Sequence, residues 1–256
     1  MNHARLPASD DIVADINPEG RSAVVLVCEH ASCFIPDEFD GLGLSENAKQ
    51  SHAAWDIGAL AVATGLSNRL NARLVAAKVS RLVYDCNRPP SAPDAMPEQS
   101  ELIAVPGNKN LTQAQRMARA ARFYTPFHDS LAAALAARPN PVLVTIHSFT
   151  PIYFGKKRLV EIGILHDNDS RLADAMLASA PAHTGANVQR NAPYGPEHGV
   201  THTLKAHAIN AGHANVMIEI SSALIETPEQ QDSMASTLFA WLSASLASLA
   251  TTESAK

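Results

Sequence analysis

The sequence predicts an α/β domain built on a mostly parallel sheet, and three observations carry that reading. Short aliphatic runs alternate with longer stretches of helical spacing, the pattern of strands joined by crossover helices. At 256 residues with 46% hydrophobic and 18% charged content, the chain has the size and composition to bury one sizeable core. Several of the runs stop on His, Glu, Asp or Arg, and open α/β sheets gather ligands just beyond the carboxyl ends of their strands.

Residues 1–22 are polar and read as an arm leading into the sheet; the remainder of 1–256 reads as a single domain. The first strand is Val24-Val25-Leu26-Val27, too short and too β-branched for a buried helix, and it runs into Cys28-Glu29-His30-Ala31-Ser32. Cys33 to Leu44, with Pro36, Gly41 and Gly43, is expected to be a loop. Ser45 then caps a helix whose apolar face, Ile57, Leu60, Ala61 and Thr64, extends it to Leu70 and places His52 and Asp56 on one side. A second strand, Leu74 to Val79, leads into Ser80-Arg81-Leu82-Val83-Tyr84-Asp85-Cys86-Asn87-Arg88. Residues 89–110 carry Pro89, Pro90, Pro93, Pro97 and Pro106, which excludes a helix or central strand and suggests a lid or pocket wall.

Thr112 and Gln115 form a capping box for a helix presenting Met117, Ala121, Tyr124, Leu131 and Leu135, with Pro126 expected to kink or break it. Pro141 to Ile146 is the next strand and ends in His147-Ser148. Leu159 to Leu165 reads as another strand, Ser170 to Ser179 as a helix, and Pro181 to Gly199 as a loop holding Asn191, Pro193 and Tyr194. Thr201 to Ala211 looks helical, Asn215 to Ile218 is a strand stopping on Glu219, and Thr227-Pro228-Glu229-Gln230 starts the last helix, which runs to about Leu249.

The net charge of −5 offers no basic patch for nucleic acid, and no apolar run approaches the ~20 residues of a membrane span. The first residues lack the apolar stretch of a signal peptide. Cys28, Cys33 and Cys86 have no zinc-ribbon spacing and read as reduced packing thiols, consistent with a cytoplasmic setting.

Strand ends delivering His30, His147 and Glu219 to one edge suit a zinc hydrolase, whose catalytic ion takes three His or carboxylate ligands. His30 and His147 are the ligand candidates and Asp56 the foremost third. Glu29 is the weaker alternative, since an extended chain points neighbouring residues apart. Glu219 is the candidate general base, with a salt bridge to an arginine as its bland rival. Arg81 and Arg88 are candidate carboxylate clamps, because a guanidinium matches a carboxylate in a two-pronged fork. His198, His202, His207 and His213 read as surface or supporting residues, and Ser148 lacks the Gly-x-Ser-x-Gly elbow of a serine hydrolase.

These residues carry a resemblance to the N-formylglutamate amidohydrolase family. The matching motifs are Cys28-Glu29-His30-Ala31-Ser32, His52-x-x-Trp55-Asp56-Ile57-Gly58-Ala59, Ser80 to Arg88, Tyr124-x-Pro126-x-His128, His147-Ser148-Phe149-Thr150-Pro151, Asn191-x-Pro193-Tyr194 and Glu219-Ile220, in order across residues 24–226. The resemblance implies a three-layer α/β/α fold with a mostly parallel mixed sheet, like the zinc carboxypeptidases. It implies a metal-dependent amidohydrolase that cleaves N-formyl-L-glutamate to formate and L-glutamate, or a close N-acyl analogue. It also implies His30 and His147 as zinc ligands, Asp56 through the shared His-x-x-Trp-Asp motif, Glu219 as catalytic glutamate and Arg81 near the oxyanion. Asn87 and Arg88 would hold the substrate carboxylate, with Asn191 and Tyr194 at the same pocket. Two departures point to a sister branch: Ser221 stands where the family often has Arg, and Glu-His-Ala-Ser replaces the Pro-His-Ser-Gly of members serving histidine breakdown. A small-molecule partner follows, with the chain acting as monomer or homo-oligomer.

Overall fold

Alternation along a strand sends Val24, Leu26 and Cys28 to one face and Val25 and Val27 to the other, and all five are buried. A strand apolar on both faces needs a layer on each, and the computed structural model, which describes residues 12–254, supplies both. The sheet strands are β1 (Val13–Ile16), β2 (Val24–Cys28), β3 (Arg73–Ala77), β6 (Val142–Phe149), β9 (Ile162–Leu165), β10 (Val188–Arg190) and β11 (Asn215–Ser221). Two small hairpins lie outside the sheet, β4–β5 (Gln99–Ser100, Ile103–Ala104) and β7–β8 (Ile152–Tyr153, Lys156–Lys157). The helices are α1 (Glu46–Lys49), α2 (Ala59–Leu70), α3 (Gln113–Arg119), α4 (Thr125–Ala136), α5 (Arg171–His183), α6 (His202–His207) and α7 (Pro228–Ser254).

The strand order is β1-β3-β2-β6-β11-β9-β10. The pairs β3–β2, β2–β6, β6–β11 and β9–β10 are parallel, while β1–β3 and β11–β9 are antiparallel. Helices α2, α5 and α7 cover one face through Leu66, Met176, Leu238 and Trp241, whose indole Nε1 donates to Met176 O at 2.8 Å. Helices α4 and α6 cover the other through Phe127, Leu131, Leu135 and Leu204. The expected three-layer α/β/α architecture with a mostly parallel mixed sheet is present.

Several boundaries differ from the sequence reading. The helix expected from Ser45 to Leu70 is broken: α1 is one turn, residues 50–57 fold as turns, and α2 begins after Gly58 at φ +83°. His52 and Asp56 therefore do not share a helical face. The loop from Cys33 contains a 3-10 segment at Asp37–Gly43. The arm contributes β1 at its described end, with residues 1–11 outside the described region. Residues 89–110 hold only 3-10 turns and the β4–β5 hairpin, in keeping with their prolines. Pro126 is absorbed by a π-helical turn at Ala120–Tyr124, which widens the backbone where the proline lacks its N–H. Strand β9 starts later than Leu159, α5 runs through Pro181, and the loop beyond it contains β10. Contrary to the expectation that no apolar run approaches a membrane span, helix α7 is by length and composition apolar enough to cross a bilayer. Its Ala235, Leu238, Trp241 and Leu242 are instead spent on the core.

Candidate active site

The site forms at one end of the sheet, where hydrogen bonds to backbone carbonyls tie distant segments to the ends of β2 and β6. Asp56 N donates to His30 O at 2.9 Å, and Ser148 Oγ donates to Ile57 O at 2.8 Å. Ser80 Oγ and Arg81 N both donate to Ala54 O, fastening the residue 80–88 segment to the turns before α2. His147 and Glu219 face each other in register on β6 and β11, just inside the strand ends instead of beyond them.

Three side chains converge there. His147 Nδ1 lies 2.8 Å and His30 Nδ1 3.3 Å from Asp56 Oδ2, and the two ring nitrogens are 3.2 Å apart. Nitrogen and oxygen ligands at about 2.0–2.1 Å from a tetrahedral ion sit about 3.3 Å from one another, so these spacings fit a small divalent cation. His30, Asp56 and His147 are all buried and together could hold a metal ion. Each imidazole turns its other nitrogen to a carboxylate: His30 Nε2 lies 2.7 Å from Asp85 Oδ1, and His147 Nε2 lies 3.1 Å from Glu29 Oε2. Carboxylates behind metal-binding histidines fix ring orientation and raise ligand basicity.

The electrostatics are those of a buried cluster of paired opposite charges. Burial would raise Asp56 and Asp85, but the histidines outweigh it, with Arg81 also acting on Asp85, and both carboxyls stay below their ordinary range. Glu29 is likewise lowered, because His147 and His30 outweigh its desolvation. Burial and Arg81 would lower His30, but Asp85 and Asp56 raise it; His147 is raised further by Glu29 and Asp56 against the same cost of burial. Glu219 goes the other way. Desolvation pushes it up to about 7, Asp56 adds to this, and its Oε2 is buried without a hydrogen-bond partner. Cys28 and Cys86 are buried and their thiols pushed well up, by desolvation first and then by neighbouring carboxylates, which suits packing roles.

Arg81 spans the cluster, donating to Asp85 Oδ2 at 2.8 Å and Asp56 Oδ1 at 3.4 Å while its side chain keeps 29% exposure. Asn87 and Arg88, expected at a substrate carboxylate, are spent within the protein. Asn87 donates to Val200 O and accepts from Thr203 N and Oγ1. Arg88 donates to Asp94 Oδ2, Asn87 O, Gly199 O and His198 O. Asn191 accepts from His166 N beside β9. Tyr194 OH accepts from Arg158 Nη2 at 2.9 Å, and its proton is held above the usual range, mainly by burial and also by Glu219. His202 and Tyr124 are hydrogen-bonded at 2.8 Å, and His207 packs on His128 with ring centroids 4.2 Å apart, so this histidine group stands apart from His30, Asp56 and His147.

Sequence reasoning did not assign Asp85 and Glu29 their places behind the two imidazoles. Asp85 stood in the Ser80–Arg88 motif, and its spacing of four from Arg81 was the available signal.

A family model described as N-formylglutamate amidohydrolase matches residues 22–226. A solved structure of a gene product from Agrobacterium tumefaciens is 53% identical, with a TM-score of 0.91, covering 93% of this chain and 95% of that one. The structure of an N-formylglutamate amidohydrolase from Ralstonia eutropha is 18% identical, with a TM-score of 0.63 over 95% of this chain and 99% of that one, and shares the fold. No match was found among curated proteins.

Proposed function

The chain belongs to the N-formylglutamate amidohydrolase family, and from that premise we propose that it is a zinc-dependent enzyme hydrolysing the amide of a small N-acyl amino acid, N-formyl-L-glutamate or a close analogue. The observation that carries the reading is the convergence of His30, Asp56 and His147, with His30 hydrogen-bonded to Asp85 and His147 within ion-pair distance of Glu29, beside Glu219, whose Oε2 has no hydrogen-bond partner.

His30, Asp56 and His147 would hold zinc, which would supply Lewis acidity toward an acyl carbonyl and acidify water. Glu219, raised to about 7, is matched to taking the proton of the attacking water and passing it to the leaving amine. Arg81, locked between Asp56 and Asp85 with its charge secured, presents the guanidinium to the oxyanion. Asn87 and Arg88 serve by tying residues 198–203 to the motif that carries Asp85.

The test is metal content followed by formate release from N-formyl-L-glutamate on the same sample. Near-stoichiometric zinc with turnover abolished by chelator supports metal, reaction and substrate together. Zinc without formate release sinks the substrate and sends the search to other N-acyl amino acids, esters and peptides. Protein that cannot take up metal sinks the hydrolase reading and leaves a carboxylate-binding domain.

A further inference from the structure

We infer that Arg158 is the residue that grips a carboxylate of the substrate, which makes it a specificity-determining residue; the inference rests on the proposed hydrolysis of N-acyl amino acids. Position is the first argument. Residues 150–157 loop out directly after Phe149, and Arg158 N closes the loop by donating to Pro151 O at 2.9 Å. The guanidinium carbon then lies 5.4 Å from the ring centroid of Phe149, 4.4 Å from Tyr153 and 4.8 Å from Tyr194. Phe149 pairs with Ser221 as His147 pairs with Glu219. Each member of the outer pair is two residues past its inner counterpart, so it shares that counterpart's face, roughly 7 Å along the strand. A small N-acyl amino acid spans such a separation between its amide and a carboxylate.

Charge is the second argument. Among the described residues Arg158 has no carboxylate within ion-pair distance; its guanidinium donates to neutral acceptors, Thr150 O at 3.2 Å and Tyr194 OH at 2.9 Å. Arg81 and Arg88, by contrast, are paired with Asp56, Asp85 and Asp94. A guanidinium has five donors in a planar fork. Three aromatic faces hold this one oriented, and donors remain for an anion. Tyr194 links the two regions, since the charges of Arg158, Glu219 and Arg81 all act on its hydroxyl.

The rival role is a cation–π staple fixing the β7–β8 hairpin, and substrate analogues separate the two. Arg158→Ala and Arg158→Lys are assayed on N-formyl-L-glutamate and on its α- and γ-monoamides. Arg158→Ala is expected to raise KM for the diacid roughly 10–150-fold with kcat within a few-fold. The loss should vanish on the monoamide that lacks the gripped carboxylate, and Arg158→Lys should recover part of it. Equal losses on all three substrates, or an unchanged KM, overturn the assignment. Glutarate binding, followed by calorimetry, needs no turnover. Binding by the wild type that weakens at least tenfold in Arg158→Ala upholds the clamp even if no formate is released, in which case the proposed reaction fails alone. Equal glutarate binding in both proteins overturns the clamp whatever the activity.

Discussion

Glu219, the proposed general base, carries a cost in stability of its own. Folding lifts its carboxyl from the ordinary range to about 7, chiefly by desolvation. Between those pH values the native state binds more protons than the unfolded one, so stability falls as pH rises through that window. Glu219→Gln removes the titration. It should cost turnover at least about 10²-fold while leaving zinc binding intact. In chelated protein it should raise the melting midpoint at pH 8, by the equivalent of about 1–3 kcal/mol, and hardly at all at about pH 4. Thermal melts at both pH values check this, and equal shifts would refute the assignment of the raised group. Asp85 and Glu29 act through the rings they hold. Asp85→Asn or Glu29→Gln should weaken zinc affinity about 10–100-fold in a competition titration, and unchanged affinity would remove them from the site. His30, His147 and Glu219 were legible because each closes an aliphatic run. The work of Asp85 and Glu29 was not, since strand period tells which face a residue takes and says nothing of which ring nitrogen it meets.

The turns before α2 carry Asp56 to His30 and His147, and Gly58 sets their exit. Spacing through Ile57, Leu60, Ala61 and Thr64 reads as one helix, yet Gly58 sits at φ +83°, and a Cβ there would come within 2.6 Å of Ile225 O. Helical period cannot reveal a left-handed residue whose need arises from a carbonyl more than a hundred positions away. Gly58→Ala should cost about 2 kcal/mol or more, lowering the melting temperature by about 5 °C or more. Zinc affinity should fall with it, because Asp56 is two residues upstream; a variant with native stability and affinity would show that the turn can relax. The missed strands have a simpler cause. Strands β1 and β10 are short edge strands, four and three residues long, and their pairing partners supply what their own sequences do not announce.

The molecule as a whole gathers several buried charges of both signs at the end of one sheet. Glu29, Asp56, Asp85 and Glu219 are all at most 5% exposed, and they face the Arg81 guanidinium and two imidazoles at the end of one sheet. Alternating strands and helices made the layered fold readable from sequence, but the order β2-β6-β11 that collects these groups is a property of long-range pairing. A buried cluster of this kind is costly unless its charges stay paired, and a divalent cation in place of the two imidazole protons would keep the carboxylates paired. The same ion would bridge residues 30, 56 and 147, which lie on different segments, so its binding energy counts directly toward folding. Metal in excess of its dissociation constant by about a thousandfold adds about 4 kcal/mol, which in a chain of this size corresponds to a melting shift of about 10 °C. Chelation should therefore lower the melting temperature by that order. Zinc should restore it and calcium should not, since His and carboxylate ligands at these spacings suit the smaller, softer ion. Calorimetric scans of the chelated, zinc-reloaded and calcium-exposed protein decide the matter. Coincident melting curves for all three would mean that the carboxylates are balanced without a metal, and His30, Asp56 and His147 would lose their role as its ligands.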